Sequence, residues 1–230
     1  MNPAAERLEA VRENIALAAS KAGRDAGAVR LIAVSKRHPA ESIKTLVDLG
    51  VRDFGESQMQ EAQEKIPGFS GIPLDWHLVG HLQSNKTREV AGLFSHVHSI
   101  DSLKLVRRIA ASTIDIERPV RLLLQVNIAG DPAKHGLRPA EVVPLINTAM
   151  NEQHTGIELC GLMTIGFRDV AEAVTRRGFA NLRELLETCR SQFGESFCEL
   201  SMGMSGDYTL AVEEGATMLR VGTALFGERQ

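Results

Sequence analysis

The sequence predicts an α/β protein folded as a closed (β/α)8 TIM barrel, and three observations carry that reading. Short apolar, β-prone runs alternate with helical patterns from one end of the chain to the other. Eight such runs can be counted, and several are continuously apolar, as strands covered on both faces must be. The length of 230 residues lies near the ~250 typical of such barrels. A doubly wound open sheet competes, but eight strands favour closure. No linker-like stretch and no internal repeat divides the chain, so residues 1–230 read as a single domain.

In chain order, an amphipathic helix comes first, with Leu8, Val11, Ile15 and Ala18 on one stripe, and no secretory leader is expected. Strands are expected at 31–35, 51–55, 74–79, 96–100, 120–126, 158–163, 198–202 and 217–221. Pro39 opens a helix carrying Ile43, Leu46 and Val47 that stops at Gly50, and Asp101 is placed to cap one carrying Leu105 and Ile109. Pro139 opens another, with Val142, Leu145, Ile146 and Met150 on its faces. A longer helix runs through Phe179, Leu182, Leu186, Cys189 and Phe193 at helical spacing, which marks a core stripe. A last helix is expected to begin around Ser205.

Composition narrows the function. The chain is 43% hydrophobic, enough for a sizeable core, and its net charge of -3 leaves no excess to neutralise a nucleic-acid backbone. The doublets Arg107-Arg108 and Arg176-Arg177 read as solvated helix faces. No apolar run approaches the ~20 residues that a membrane helix needs. Cys160, Cys189 and Cys198 lack metal-type spacing and read as buried free thiols, so a reducing, cytoplasmic location is expected.

Chemistry in a barrel belongs at the C-terminal ends of its strands. Lys36 stands at the end of the first, where desolvation favours the neutral amine that imine formation with an aldehyde requires. Residues 200–207 run from a strand into a loop holding Ser201, Gly203, Ser205 and Gly206, and Arg220, Gly222 and Thr223 close the next strand. Glycines admit an anion close to the backbone, and hydroxyls with free amides cradle phosphate. These are the loops after strands seven and eight, where barrels commonly hold phosphate. His96 and His98 alternate on one strand as a conceivable metal pair, but no third ligand is evident and they read as structural. Residues 131–136 form a polar loop at the rim, and dinucleotide and triphosphate fingerprints are absent.

Seven ordered motifs stand out: Ala33-Val34-Ser35-Lys36, Phe54-Gly55-Glu56, the run 76–86, Gln125-Val126-Asn127 with Lys134-His135-Gly136, Gly161-Leu162-Met163, the run 201–205, and Arg220-Val221-Gly222-Thr223. Over essentially the whole chain they resemble the pyridoxal phosphate homeostasis proteins, which share the barrel of the alanine racemase N-terminal domain. The resemblance implies that Lys36 holds pyridoxal 5'-phosphate as a Schiff base. It further implies that Ser201 and Ser205, with Gly203 and the backbones of Gly222 and Thr223, hold the phosphate. Arg220 would face the pyridine nitrogen, Met163 would line the ring pocket, and His77 and Asn127 would form its wall. Ser57 stands where the family usually has asparagine, with shorter reach toward the cofactor.

The resemblance also implies a binding and buffering protein that delivers the cofactor to apo-enzymes. A monomer is expected because no extra interface element is visible. An amino-acid racemase is the alternative. Racemisation needs a base on each face of a carbanion; Lys36 serves one, and Tyr208, the only tyrosine, sits beside the phosphate loop. An arginine at the pyridine nitrogen can only donate, which weakens the ring as an electron sink. The expectation is therefore a protein that is not an enzyme.

Overall fold

Among the described residues of the computed structural model, which are 2–113, 118–167 and 170–228, eight parallel strands close into one barrel. They are β1 (Arg30–Val34), β2 (Asp53–Glu56), β3 (Asp75–Leu78), β4 (His96–Ile100), β5 (Val120–Gln125), β6 (Ile157–Met163), β7 (Glu199–Ser201) and β8 (Met218–Val221). Each pairs with its sequence neighbour, and β8 closes on β1 with Ala33 opposite Val221. Side-chain alternation therefore builds two cores. Ala33, Phe54, Leu78, Val97, Leu122, Leu162 and Leu219 pack outward under the helices, while Ile32, Leu123, Cys160, Met163 and Met218 form a separate cluster in the lumen.

The helices are α1 (Pro3–Lys21), α2 (Ala40–Asp48), α3 (Met59–Lys65), α4 (Leu103–Ser112), α5 (Pro139–Asn151), α6 (Glu172–Phe193), α7 (Tyr208–Glu213) and the single turn α8 (Thr223–Phe226). Asn2 caps α1 by accepting from the Ala4 amide, with Pro3 at the first helical position. Because α8 is too short to cover the seam between β8 and β1, α1 packs there against α7 and α8. Arg7 Nε donates to the Leu225 carbonyl at 2.7 Å, and Asn14 Nδ2 to the Tyr208 hydroxyl at 3.1 Å. Between β3 and β4 the polar segment 81–86 supplies no apolar helical stripe, and a 3-10 turn, Thr87–Glu89, stands in place of a helix.

Three expectations need correction. Ser102, not Asp101, is the residue before α4, and its side chain makes no capping bond; the Asp101 carboxylate turns toward His81 instead, at 3.8 Å. The helix expected near Ser205 begins at Tyr208, because the Asp207 carboxylate first accepts the Met204 amide at 2.6 Å and closes a turn. Cys198 is exposed, at the rim just before β7, whereas Cys160 and Cys189 are buried. The arginine doublets do lie on solvated faces: Arg107 pairs with Glu152, and Arg176 with Glu172 and Glu213. No helix among the described residues is long and apolar enough to cross a membrane.

Candidate functional site

Lys36 is half-buried in the turn that leaves β1, two residues beyond its last strand position. Two elements fix that turn. From one side Lys65 of α3 reaches in, donating to the Ser35 carbonyl at 2.9 Å, to Glu56 Oε1 at 3.0 Å and to Glu61 Oε1 at 2.6 Å. The buried Ser35 hydroxyl donates to the same Glu56 oxygen at 2.7 Å, and Glu61 also receives the Arg37 amide. From the other side the His38 ring stacks on Phe226 of α8 at 4.7 Å. Arg37 takes a left-handed φ of 62°, which turns the chain sharply after Lys36.

The Glu56 side chain is fully buried, and its Oε2 has no hydrogen-bond partner among the described residues. Burial raises its carboxyl above the ordinary range, against the opposing pull of Ser35 and Lys65. Sequence reasoning quoted Glu56 only within a motif and missed Lys65; the available signal was a carboxylate closing a strand of an otherwise apolar barrel.

Pairing of β8 with β1 puts the second half of the site beside this turn. The amides of Gly222 and Ala224 converge on one oxygen, Ser205 Oγ, each at 3.3 Å. A Cβ on Gly222 would meet the Val34 carbonyl at 3.3 Å. Gly203, at φ +91°, turns the chain out of β7; a Cβ there would lie 2.5 Å from that of Ala211, so only glycine fits. Two amides aimed at one oxygen, in a corner too tight for side chains, are a donor set suited to a phosphate oxygen.

Arg220 lies beneath this corner, buried, with its pKa lowered by burial to about 10, so it remains charged at neutral pH. Nη2 donates to the Thr164 carbonyl at 2.8 Å and Nη1 to Ser201 Oγ at 2.7 Å. Ser201 is thus not in the amide corner with Ser205. Its hydroxyl, fully buried, lies between Arg220 and His98 Nδ1, 2.8 Å away. The line continues from His98 Nε2 to His77 Nδ1 at 3.0 Å, and from His77 Nε2 to Asp53 Oδ1 at 3.1 Å. Burial is the main cause holding His77 at about 3 and His98 well below its ordinary value, so both imidazoles are neutral. An ionised carboxylate can only accept, so with both imidazoles neutral the Asp53 end fixes every bond back to Ser201. Ser201 donates to His98, His98 to His77, and His77 to Asp53. One polarised chain therefore crosses the lumen from Arg220 to a carboxylate at the opposite rim.

The remaining expected residues fall in different places. His77 is a link in this chain rather than a wall of the mouth. Met163 is buried in the lumen cluster. Asn127 organises the loop after β5, donating to the carbonyls of Asp131 and Lys134 and accepting the Asp131 amide. Ser57 is half-buried just past β2, and its hydroxyl makes no hydrogen bond among the described residues. Thr223 begins α8. His96 stacks on His77 at 4.3 Å and meets Ser95 Oγ and Arg30 Nη1, so the pair imagined as metal ligands is held by hydrogen bonds. The Tyr208 hydroxyl faces Asn14 of α1.

Comparison with known proteins agrees with this fold. The family model for the alanine racemase N-terminal domain matches residues 7–230. The pyridoxal phosphate homeostasis protein of Pseudomonas aeruginosa is 42% identical over 229 residues, covering 100% of this chain and 97% of its own. That of Escherichia coli is 36% identical over 235 residues, with 100% and 98% covered. PipY of Synechococcus elongatus, solved with PLP bound, superposes with a TM-score of 0.84 at 37% identity, covering 97% of this chain and 100% of PipY. Alanine racemase of Clostridium difficile, at 16% identity and a TM-score of 0.73, shares the fold; the match covers 97% of this chain and 57% of the racemase.

The class is thereby defined as an alanine racemase N-terminal-domain barrel. Within that class, the chain belongs to the pyridoxal phosphate homeostasis protein family.

Proposed function

We propose that this protein binds pyridoxal 5'-phosphate through Lys36, holds it, and passes it to apo-enzymes, with no turnover of its own. The observation that carries the reading is the placement of three complementary groups at one end of adjacent strands. The Lys36 amine leaves β1, the Gly222 and Ala224 amides follow β8, and the Arg220 guanidinium lies beneath. The Gly222 and Ala224 amides, with Ser205 and Thr223, would hold the phosphate, and Arg220 would hold the ring nitrogen. Gly203 and Met163 shape the pocket, and Ser57 and Asn127 lie at its edge. Ser201 and His77 act through Arg220, by holding it. When bound, the cofactor supplies an electrophilic aldehyde and a ring that withdraws electrons.

The chain's own residues fit holding better than turnover. Arg220 stays protonated and donates, so it leaves the ring nitrogen without a proton and weakens that withdrawal. The Tyr208 hydroxyl is held by Asn14 rather than turned to the mouth as a second base. A monomer in the cytoplasm, with no nucleic-acid or membrane partner, belongs to the same proposal.

The test is spectral and kinetic. Wild-type protein incubated with pyridoxal phosphate is expected to develop an absorption band reducible by borohydride, which Lys36→Ala lacks. A band that survives in Lys36→Ala moves the anchor elsewhere. Racemisation, transamination or decarboxylation of amino acids at ordinary enzymatic rates, abolished by Lys36→Ala, would replace the carrier reading with an enzyme.

A further inference from the structure

We propose that His81, Asp101 and His135 form a binding site for a divalent transition metal of the zinc, nickel or cobalt class at the C-terminal mouth of the barrel. The three come from three loops, after β3, β4 and β5, and one ligand atom from each lies within 4.8 Å of the others. The imidazoles of His81 and His135 stack with centroids 4.2 Å apart and planes 16° from parallel. Asp101 Oδ2 is 3.8 Å from His81 Nδ1. That is too long for a hydrogen bond. Two ligand atoms on one tetrahedral ion with bonds of about 2.0–2.1 Å lie about 3.4 Å apart, so the ligand atoms are already near that spacing, and one imidazole must turn out of the stack to bring both in-plane lone pairs onto one ion.

Hydrogen-bond accounting separates this cluster from the buried histidines. His77, His96 and His98 have both ring nitrogens engaged. Neither His81 nor His135 has a ring hydrogen bond among the described residues, and the Asp101 carboxylate has none, although it stands next to the start of α4. The fold brings these groups together and leaves their lone pairs unused.

Each ligand also sits on a firm support. Asp101 directly follows β4. Gly80, just before His81, packs so closely on the Ser57 carbonyl that no Cβ fits there. The His135 carbonyl accepts from Gln125 Nε2 at 2.9 Å, at the end of β5. Such supports keep a ligand set close to its bound geometry. The His81 side chain is 43% exposed, and it shares with Asp101 a polar cleft of about 490 Å³ that admits the ion and leaves a coordination position open.

The donor set selects the ion class. Two imidazole nitrogens and one carboxylate suit borderline transition metals, not calcium or magnesium, which prefer all-oxygen shells. Lys104 and Arg108 line the same cleft, so net negative charge does not recruit the ion; the imidazoles do. A bound ion would join the loops after β3, β4 and β5 across the mouth.

The experiment titrates tag-free wild-type protein with Zn²⁺ by calorimetry and with Co²⁺ by visible absorption. One equivalent is expected to bind, with a cobalt spectrum of mixed nitrogen and oxygen ligation. His81→Ala and His135→Ala are each expected to weaken binding at least ~10-fold. Both variants should keep the wild-type melting curve, since neither side chain is buried. Lys36→Ala should bind the ion as the wild type does, which separates this site from the cofactor reading. No uptake by the wild type, or uptake undiminished in the His81→Ala/His135→Ala double variant, would overturn the site.

Discussion

Ser201 illustrates how a residue's neighbours, rather than its type, decide its work. A serine beside a glycine-rich turn invites assignment to phosphate, and its companion Ser205 does meet the converging amides. Ser201 instead accepts from Arg220 and donates to His98, in a place closed to solvent. Removing its hydroxyl leaves a buried guanidinium N–H and a buried imidazole nitrogen unpaired, at a cost of roughly 1–3 kcal/mol. Ser201→Ala should therefore lower the denaturation midpoint of the protein before any cofactor is added, and Ser201→Thr, which keeps Oγ, should restore most of it. Were Ser201 a phosphate ligand alone, Ser201→Ala would weaken cofactor binding and leave the cofactor-free protein as stable as the wild type.

At the scale of elements, the clip from α3 to the ends of β1 and β2 holds the Lys36 turn in place. Lys65 is 12% exposed and Glu56 not at all, so the pair is buried and breaking it is costly. Lys65→Met leaves the Glu56 carboxylate without its cation, and a loss of about 3–5 kcal/mol is expected near neutral pH. Burial already raises the Glu56 pKa, and removing Lys65 raises it further. The carboxyl is then neutral in the folded variant at low pH, so the deficit against wild type should shrink as pH falls from 8 to 5. A deficit constant over that range, measured by urea titration, would assign the cost to lost packing instead. The strands were legible in the sequence because parallel strands covered on both faces leave continuous apolar runs: 96–100 falls where expected, and 120–126 is one residue longer than β5. Lys36 and the turn at Gly222 stood in short motifs at strand ends as well. What escaped was the bonding between groups that only closure brings together. Asp53, His77, His98, Ser201 and Arg220 lie far apart in the sequence yet form one hydrogen-bonded line, and no local pattern announces such a line.

For the whole molecule, a polar lumen inside an apolar shell has a consequence for acid stability. His77 and His96 have pKa values depressed by burial to about 3 and about 2, and His98 is also well below 6.5. In the unfolded chain these groups bind protons near pH 6.5, whereas in the barrel they stay neutral. Stability is then full above pH 6.5 and is lost as pH falls toward the folded-state values. Each group contributes a slope of about 1.4 kcal/mol per pH unit, so three lose roughly 4 kcal/mol per unit. Against a total stability of ~5–15 kcal/mol, unfolding is expected at about pH 3–5. The carboxyls of Asp53, Glu56 and Asp207, raised by burial, act in the opposite sense, because the folded state takes up their protons first. They moderate the loss below their own folded-state pKa values. The histidine share can be isolated with His96→Gln, whose side chain retains a donor and an acceptor for Arg30 and Ser95. Between pH 6.5 and 5.5 the variant's stability should fall less than the wild type's by about 1 kcal/mol. Equal slopes would mean that His96 is already protonated in the folded barrel, and the neutral, one-directional chain through His98 and His77 would then need a different origin.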